Sequence, residues 1–301
     1  MGELIAIATV LCWTVSVQFF EVAAKRVGSV PVNIIRIGSA LVYFSILLYC
    51  REGVLIPVNF PLHAWIYLGV SGVVGFFIGD IFLFKALVEL GPRITMLVQS
   101  LAAPTAAVIG WVFLQETYLL YQWFGMFVTL AGVSLVVLEK NKGKTSTQKL
   151  HVRRISLRGV IFAVSAMVGQ AGGIVISKLG MQTENGYLDP FASTQIRALA
   201  AFVCFVMLLS ATNKWGGVAS AIRDRKAVSC TVTGAAIGPF IGVSLSLWTL
   251  QFLSAGVAST FFSLIPICII PFSVYLHKEH VSVRAILGAV IAVLGVYMLM
   301  P

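Results

Sequence analysis

The chain has 301 residues, of which 59% are hydrophobic and 11% are charged, and its mean hydropathy is +0.97. A soluble globular protein carries about 25% charged residues, so this composition excludes a soluble domain and predicts an integral membrane protein. The formal net charge of +10 does not indicate a nucleic-acid partner. The basic residues lie in connectors between apolar runs, where they favour contact with membrane lipids.

The sequence indicates neither a disulfide framework nor a metal site. All five cysteines lie in or at the ends of apolar segments, without a CxxC pair, and the four histidines lie in or beside connectors. We therefore expect no cofactor. The N-terminal stretch MGELIAIATVLCW lacks the basic region and cleavage site of a signal peptide, so we expect it to remain as the first helix.

Apolar stretches close to the roughly 20 residues that span a bilayer recur along the chain. They predict ten transmembrane helices, at residues 3–23, 32–50, 64–86, 93–114, 121–139, 158–179, 191–211, 228–250, 256–276 and 281–300. The one long polar connector is EKNKGKTSTQKLHVRRISLR, residues 139–158. It predicts a first five-helix repeat at 1–139, a basic linker at 140–157 and a second five-helix repeat at 158–301.

The two halves are related by an internal repeat. A shift of 163 residues places glycines on glycines and a glutamate on a glutamate, and a shift of 161 places one arginine on another. The matched pairs are Gly75 with Gly238, Gly79 with Gly242, Glu116 with Glu279, Gly125 with Gly288, Gly132 with Gly295, and Arg36 with Arg197. Five helices are an odd number, so the second half must enter the membrane from the opposite side. We therefore predict an all-α membrane protein of two inverted-topology repeats around a central cavity, the architecture of many secondary transporters.

In both halves a proline-bearing helix ends at a glutamate and a glycine-bearing helix follows. The two stretches are APTAAVIGWVFLQETYLLYQWFGMFVTLAGV at 103–133 and IPICIIPFSVYLHKEHVSVRAILGAVIAVLGV at 265–296. Together with IRIGSAL and IRALAAF, which hold Arg36 and Arg197, they resemble the EamA-type domains of ten-helix members of the drug/metabolite transporter superfamily. The resemblance implies a multi-pass protein of the bacterial inner (plasma) membrane, a monomer or homodimer, that exports amino acids or other metabolites, or exchanges sugar phosphates or nucleotide sugars.

The repeat separates features of the fold from features of a site. A residue matched in both halves favours a structural role, so we expect Glu116 and Glu279 to accept hydrogen bonds from free backbone N–H groups at helix starts. The glycines predict close helix packing. Arg36 and Arg197 each lie near the start of a predicted helix, where snorkelling or a structural ion pair explains them. For Arg36, a substrate-binding role for a carboxylate or phosphate group stays open.

Asp80 has no matched acid, because the repeat places it on Val243. A carboxylate inside the apolar stretch GVVGFFIGDIFLFKALVELG costs roughly 2.5–3.5 kcal/mol at a helix centre. Arg36, cavity water or a bound proton could compensate for it. The position therefore predicts either a coupling carboxylate, which carries a proton, or a structural ion pair. Lys85 is expected to pair with Glu89 one turn on.

The first helix carries a polar stripe, because Thr14, Gln18, Glu21 and Lys25 recur at helical spacing. We expect the stripe to line a water-accessible cavity, with Glu21 as a second coupling carboxylate. Alternatively, Glu21 and Lys25 form an exposed ion pair. Further candidates for the cavity wall are Trp13, Tyr43, Gln99, Gln170, Trp248 and Gln251.

Other function classes are less favoured by the sequence. An intramembrane enzyme would need a catalytic motif, and neither GxSxG, HExxH nor paired intramembrane aspartates are present. A channel would need a repeated ring of ligands. We therefore expect a secondary transporter that exports amino acids or similar metabolites by alternating access, with a small-molecule substrate as its partner and a proton as a candidate for the coupling ion. A lipid-linked metabolite flippase and an organic-anion exchanger of the same fold stay open.

Overall fold

The computed structural model describes residues 1–138, 156–184, 186–277 and 283–299, and it is helical apart from one short hairpin. In chain order, the elements are α1 (Gly2–Val27), α2 (Ser29–Glu52), α3 (Leu62–Ser71), α4 (Gly79–Leu90), α5 (Pro92–Ser100), α6 (Ala102–Leu114), α7 (Leu120–Val137), α8 (Leu157–Met181), β1 (Gln182–Thr183), β2 (Gly186–Tyr187), α9 (Pro190–Ala211), α10 (Trp215–Arg223), α11 (Arg225–Ala235), α12 (Val243–Thr249), α13 (Ala255–Phe262), α14 (Ile265–His277) and α15 (Val283–Tyr297). Strands β1 and β2 pair antiparallel in the connector before α9.

Eight stretches of the described chain are long and apolar enough to cross a membrane. They are Gly2–Val27, Ser29–Glu52, Leu62–Leu90, Ile94–Leu114, Leu120–Val137, Leu157–Met181, Pro190–Ala211 and Arg225–Thr249. Each coincides with one of the first eight predicted helices. Two shorter apolar helices, at Ala255–Pro271 and Val283–Tyr297, lie where the ninth and tenth were predicted. The membrane-spanning class is confirmed, and the count of ten stays a prediction.

Two of the spans change helical form partway along. A π-helical segment π1 (Gly72–Ile78) lies between α3 and α4, and a second segment π2 (Ala236–Gly242) lies between α11 and α12. Gly75 and Gly238, which the repeat superposes, lie inside them, and Pro239 removes one backbone donor from π2. The helices predicted at 64–86 and 228–250 are present as continuous spans, and each contains a π-helical segment that the sequence did not indicate. The segments fall at matched places in both repeats.

The chain folds into two compact units, and each unit takes helices from both sequence halves. The first unit is Met1–Ile78 with Gly172–Ser254, and the second unit is Gly79–Ala171 with Ala255–Pro301. Helix α8 contributes its first part to the second unit and its last part to the first unit. The boundary between the two compact units therefore differs from the boundary between the two sequence repeats.

In the first unit, glycines allow helices to approach closely. A Cβ atom on Gly173 of α8 would lie 3.0 Å from the Cα atom of Gly75, and Ser71 donates a 2.8 Å hydrogen bond to the Gly173 carbonyl. On α11, a Cβ atom at Gly234 would lie 2.8 Å from the ring of Phe20 in α1. The predicted close packing at Gly75 is confirmed, and Gly173 is its partner on α8.

In the second unit, α7 and α15 pack through the glycines that the repeat relates. Gly125 faces Gly295, and Gly132 faces Gly288: a Cβ atom on Gly125 would lie 2.8 Å from the Gly295 oxygen, and one on Gly132 would lie 2.5 Å from the Gly288 oxygen. The backbones of the two helices therefore touch. Thr129 lies between the two contacts and donates a 2.8 Å hydrogen bond to the Gly125 carbonyl within α7.

Candidate functional site

The polar stripe of α1 runs from the interior of the first unit to its surface. Thr14 is fully buried, and its hydroxyl has no hydrogen-bond partner among the residues that the structure describes. Gln18 is half-buried. Glu21 and Lys25 are exposed and form an ion pair one turn apart. This geometry favours the interpretation of Glu21 and Lys25 as an exposed ion pair, whereas Thr14 and Gln18 remain available to contact a ligand.

The two candidate tryptophans have different surroundings. Trp13 is half-buried and packs on the helix that holds Gly242, because a Cβ atom on that glycine would lie 2.8 Å from Trp13 Cδ1. Trp248, in α12, is 39% exposed. Both belong to the first unit. The contact with Gly242 gives Trp13 a role in packing, and Trp248 is the more exposed of the two side chains.

Arg36 lies on α2 and is half-buried, with its guanidinium carbon 5.4 Å from the centroid of the Phe20 ring on α1. The same unit holds two other candidates for the cavity wall, and both have structural partners. The Tyr43 hydroxyl donates to the Val232 carbonyl at 3.3 Å. The Gln251 amide donates to the Leu188 carbonyl at 3.0 Å, which ties the end of α12 to the connector before α9.

Asp80, Gln99 and Gln170 belong to the second unit. Asp80 is half-buried in the first turn of α4, directly after π1. Gln99 is half-buried near the end of α5, and Gln170 is exposed on α8. Of the residues predicted for the site, the first unit therefore holds Trp13, Thr14, Gln18, Glu21, Arg36 and Trp248, and the second unit holds Asp80 and Gln99.

The predicted pair of Lys85 with Glu89 is wrong. The Lys85 ammonium lies 5.7 Å from the ring centroid of Phe82 and 5.4 Å from that of Phe162. The Glu89 carboxylate instead accepts a 2.8 Å hydrogen bond from the Ser156 hydroxyl, at the start of α8. The aromatic faces attract the cation, and sequence spacing along one helix could not show that the second ring comes from another helix.

Glu116 has the structural role that its repeat match predicted. Its carboxylate accepts hydrogen bonds from the Ala255 N–H at 2.9 and 3.1 Å, and the Tyr118 hydroxyl donates to it. The same hydroxyl accepts from the Gly256 N–H at 3.1 Å. These donors are the free N–H groups that open α13, so Glu116 caps a distant helix and not the α7 that follows it. Glu279 lies outside the described residues.

The prediction that Arg197 snorkels to a surface or forms an ion pair was also wrong for the residues that the structure describes. Arg197 is the eighth residue of α9 and is only 4% exposed, so it does not snorkel to a surface. Within the described chain it forms no ion pair; its guanidinium carbon lies 4.5 Å from the centroid of the Phe76 ring. Sequence reasoning also missed the burial of Lys178, whose ammonium donates to the Leu253 carbonyl at 2.7 Å. The signal available for Arg197 was the apolar stretch IRALAAFVCFVM, residues 196–207, in which it is the one charged residue.

Comparison with known proteins supports the helical architecture. One crystal structure, described only as that of a protein, superposes with a TM-score of 0.69 over 99% of this chain and 96% of that chain. The identity between the two is 15%, so this likeness shows the fold alone. No curated protein matches the chain. The sequence does match the EamA-like transporter family, over residues 1–138 and again over residues 157–300. The two matches together cover nearly the whole sequence, and the chain therefore belongs to the EamA-like transporter family.

Proposed function

We propose that the protein is a secondary active transporter that exports amino acids or similar small metabolites by alternating access, in the inner membrane of a bacterium. The family and the apolar spans make it an integral multi-pass membrane protein with a drug/metabolite transporter-type function. The substrate class, the direction and the mechanism are the proposed part. Inverted-topology repeats support them, because such repeats commonly rock against each other around a site at the membrane midplane.

The proposal depends mainly on one observation, the position of Asp80. It is a half-buried carboxylate inside a long apolar span, and the other repeat has Val243 at the matched position. A residue that the fold requires would be expected in both repeats. An acid in a membrane span is by default a candidate for an ion pathway. We therefore assign Asp80 to coupling by protons or to balancing a cationic group of the substrate. Glu21 stays the secondary candidate, since its exposed pair with Lys25 favours a surface role.

The proposed substrate-binding residues are Trp13, Thr14, Gln18, Arg36, Gln99 and Trp248. Arg36 would bind an anionic group, because its planar fork of N–H donors fits a carboxylate. Thr14 and Gln18 would supply neutral hydrogen-bonding groups. The tryptophan faces would cover the apolar part of a metabolite.

Asp80→Asn is expected to reduce export at least about tenfold, which corresponds to roughly 1.4 kcal/mol, because an amide cannot carry a proton. The measurement is untargeted mass spectrometry of the medium from cells with matched amounts of wild-type or variant protein. The control is Glu52→Gln, which removes an exposed carboxylate at the end of α2 and should export like wild type. Metabolites enriched equally by wild type and Asp80→Asn would remove Asp80 from the mechanism.

Proteoliposomes loaded with the metabolite so identified test the coupling directly. The wild-type rate should follow an imposed pH gradient, and the Asp80→Asn rate should not. Transport that needs a counter-substrate inside the vesicle would favour the organic-anion exchanger. Movement of a labelled lipid, without any soluble metabolite, would favour the flippase.

Arg36→Gln is expected to weaken substrate affinity by about 10- to 100-fold, since a hydrogen bond to a charged group contributes about 1.5–3 kcal/mol. Arg36→Lys keeps a positive charge without the fork, so its substrate affinity should lie between those of wild type and Arg36→Gln. The measurement is the concentration dependence of uptake into proteoliposomes. If the half-saturating concentration is the same in all three proteins, Arg36 does not contact the substrate.

A further inference from the structure

Among the described residues, no acidic side chain forms an ion pair with the buried guanidinium of Arg197. The residue is 4% exposed, and its Nε atom is buried without a hydrogen-bond partner in the described chain. The ring of Phe76, at 4.5 Å, is the neighbour that faces the cation. A cation–π contact with phenylalanine is weaker than the penalty for removing an ion from water. Arginine keeps its charge in proteins, so the charge needs a further partner.

The acids of the first unit do not supply that partner. Four of them pair elsewhere: Glu3 with the N-terminal ammonium, Glu21 with Lys25, Asp189 with Arg51, and Asp224 with Arg26. The other two, Glu52 and Glu184, are exposed. Among the described residues of the whole chain, none forms an ion pair with Arg197. The compensating anion is therefore sought outside the polypeptide.

A second donor lies on the same face of α9. Ser193 precedes Arg197 by one helical turn, is fully buried, and its hydroxyl has no partner among the described residues. The neighbouring Thr194 hydroxyl bonds the Pro190 carbonyl one turn back at 2.7 Å. Ser193 does not use this intrahelical bond. Two buried polar groups, one charged and one neutral, are thus left to serve the same ligand.

Close packing holds this face in place. A Cβ atom on Gly72 would lie 2.1 Å from the Arg197 carbonyl oxygen, so the backbones of α9 and π1 touch. The Phe77 ring of π1 also meets Phe205 of α9, with 4.9 Å between ring centroids. Arg197 is therefore carried on a fixed helix pair, which suits a group that must orient a ligand.

We propose that Arg197 and Ser193 form a binding site for a small anion, with the guanidinium fork and the hydroxyl donating to it. Carboxylate and phosphate oxygens fit the fork, and chloride fits its charge. The anion has two chemical sources, a free inorganic ion and the carboxylate of the transported metabolite. The metabolite carboxylate as a source rests on the proposed function, whereas the free inorganic ion does not.

The test uses the purified full-length protein in nanodiscs of neutral phosphatidylcholine, at constant ionic strength, with a bulky organic sulfonate as the background anion. Sodium acetate, sodium phosphate and sodium chloride are titrated separately, and the apparent melting temperature is followed. A ligand that binds only the folded state raises stability with the logarithm of its concentration, once that concentration exceeds the dissociation constant. We expect such a rise with at least one of the three anions.

Matched variants locate the effect. Arg197→Gln should abolish the anion dependence, and in sulfonate alone it should melt no lower than wild type, because the uncompensated charge is gone. Ser193→Ala should retain the fold and need about tenfold more anion for the same rise in melting temperature. The control Arg223→Gln, an exposed arginine in the same unit, should respond like wild type.

The outcomes separate the two sources and separate this inference from the proposed function. If acetate stabilises and Arg197→Gln weakens uptake of the metabolite, the site binds the substrate carboxylate. If chloride or phosphate stabilises and uptake by Arg197→Gln is normal, the site holds a free anion. A wild-type protein that responds to none of the three anions overturns the site, and so does an Arg197→Gln protein that still responds. None of these melting results depends on export, so loss of the site and loss of the transport proposal remain distinguishable.

Discussion

Alanine at Gly132 or Gly295 is expected to destabilise the second unit by about 3 kcal/mol, at the upper end of the range for overpacking. A Cβ atom on Gly132 would lie 2.3 Å from the Ala292 nitrogen, and one on Gly295 would lie 2.4 Å from the Thr129 nitrogen. Both neighbours are backbone atoms in the paired helix, so no rotamer change relieves the contact. Helices α7 and α15 would have to separate.

The measurement is the apparent melting temperature of the purified protein, which should fall by several degrees for each variant. Gly172→Ala is the control, because a Cβ atom there meets nothing within 4 Å. The double variant Gly132→Ala with Gly295→Ala should fall by less than the sum, since either change already separates the same helix pair. If Gly132→Ala melts at the same temperature as the control Gly172→Ala, the close backbone contact between α7 and α15 is contradicted.

Loss of the Glu116 carboxylate is expected to cost about 2 kcal/mol. Removal of a capping side chain costs about 0.5–2 kcal/mol, and loss of the negative charge at a helix start adds about 0.3–1 kcal/mol. Glu116→Ala removes both contributions from the start of α13 and leaves the Tyr118 hydroxyl without its acceptor. Glu116→Gln keeps an acceptor and should lose about half as much.

A double-mutant cycle with Tyr118→Phe measures whether the two side chains act together, and we expect the combined loss to differ from the sum. Gly110→Ala offers an independent check, because its Cβ atom would lie 2.6 Å from Glu116 Oε2 and would displace the carboxylate. Thr117→Ala, an exposed neighbour, is the control. If the melting temperature of Glu116→Ala equals that of Thr117→Ala, the cap contributes nothing to stability.

The spans, the repeat and the family could be predicted from the sequence because they depend on local hydrophobicity and on matched residues. The role of Glu116 was also predictable, since a matched acid beside a helix start favours capping. The helix that Glu116 caps could not be predicted. The helix that it caps begins at Ala255, more than a hundred positions along the chain, and no local pattern links the two.

Other features depend on packing that the sequence does not display. The two compact units mix helices from both halves, whereas a repeat search compares the halves in chain order. Arg197 is buried on a helix whose backbone Gly72 approaches closely, and no local pattern shows this contact. The π segments differ from α-helix only in the hydrogen bonds that close each turn, and hydrophobic periodicity over seven residues does not separate the two forms.

The π segments determine where these two spans can change length during evolution. An i→i+5 turn holds one residue more than an α-helical turn. Loss of one residue between Gly72 and Ile78 can therefore be absorbed by converting the turn to α-helix, and Asp80 two positions on keeps its direction. A deletion elsewhere in the span would rotate everything beyond it by about 100°. Single-residue deletions in related chains should consequently concentrate in π1 and π2, while the length of the helix on either side stays constant.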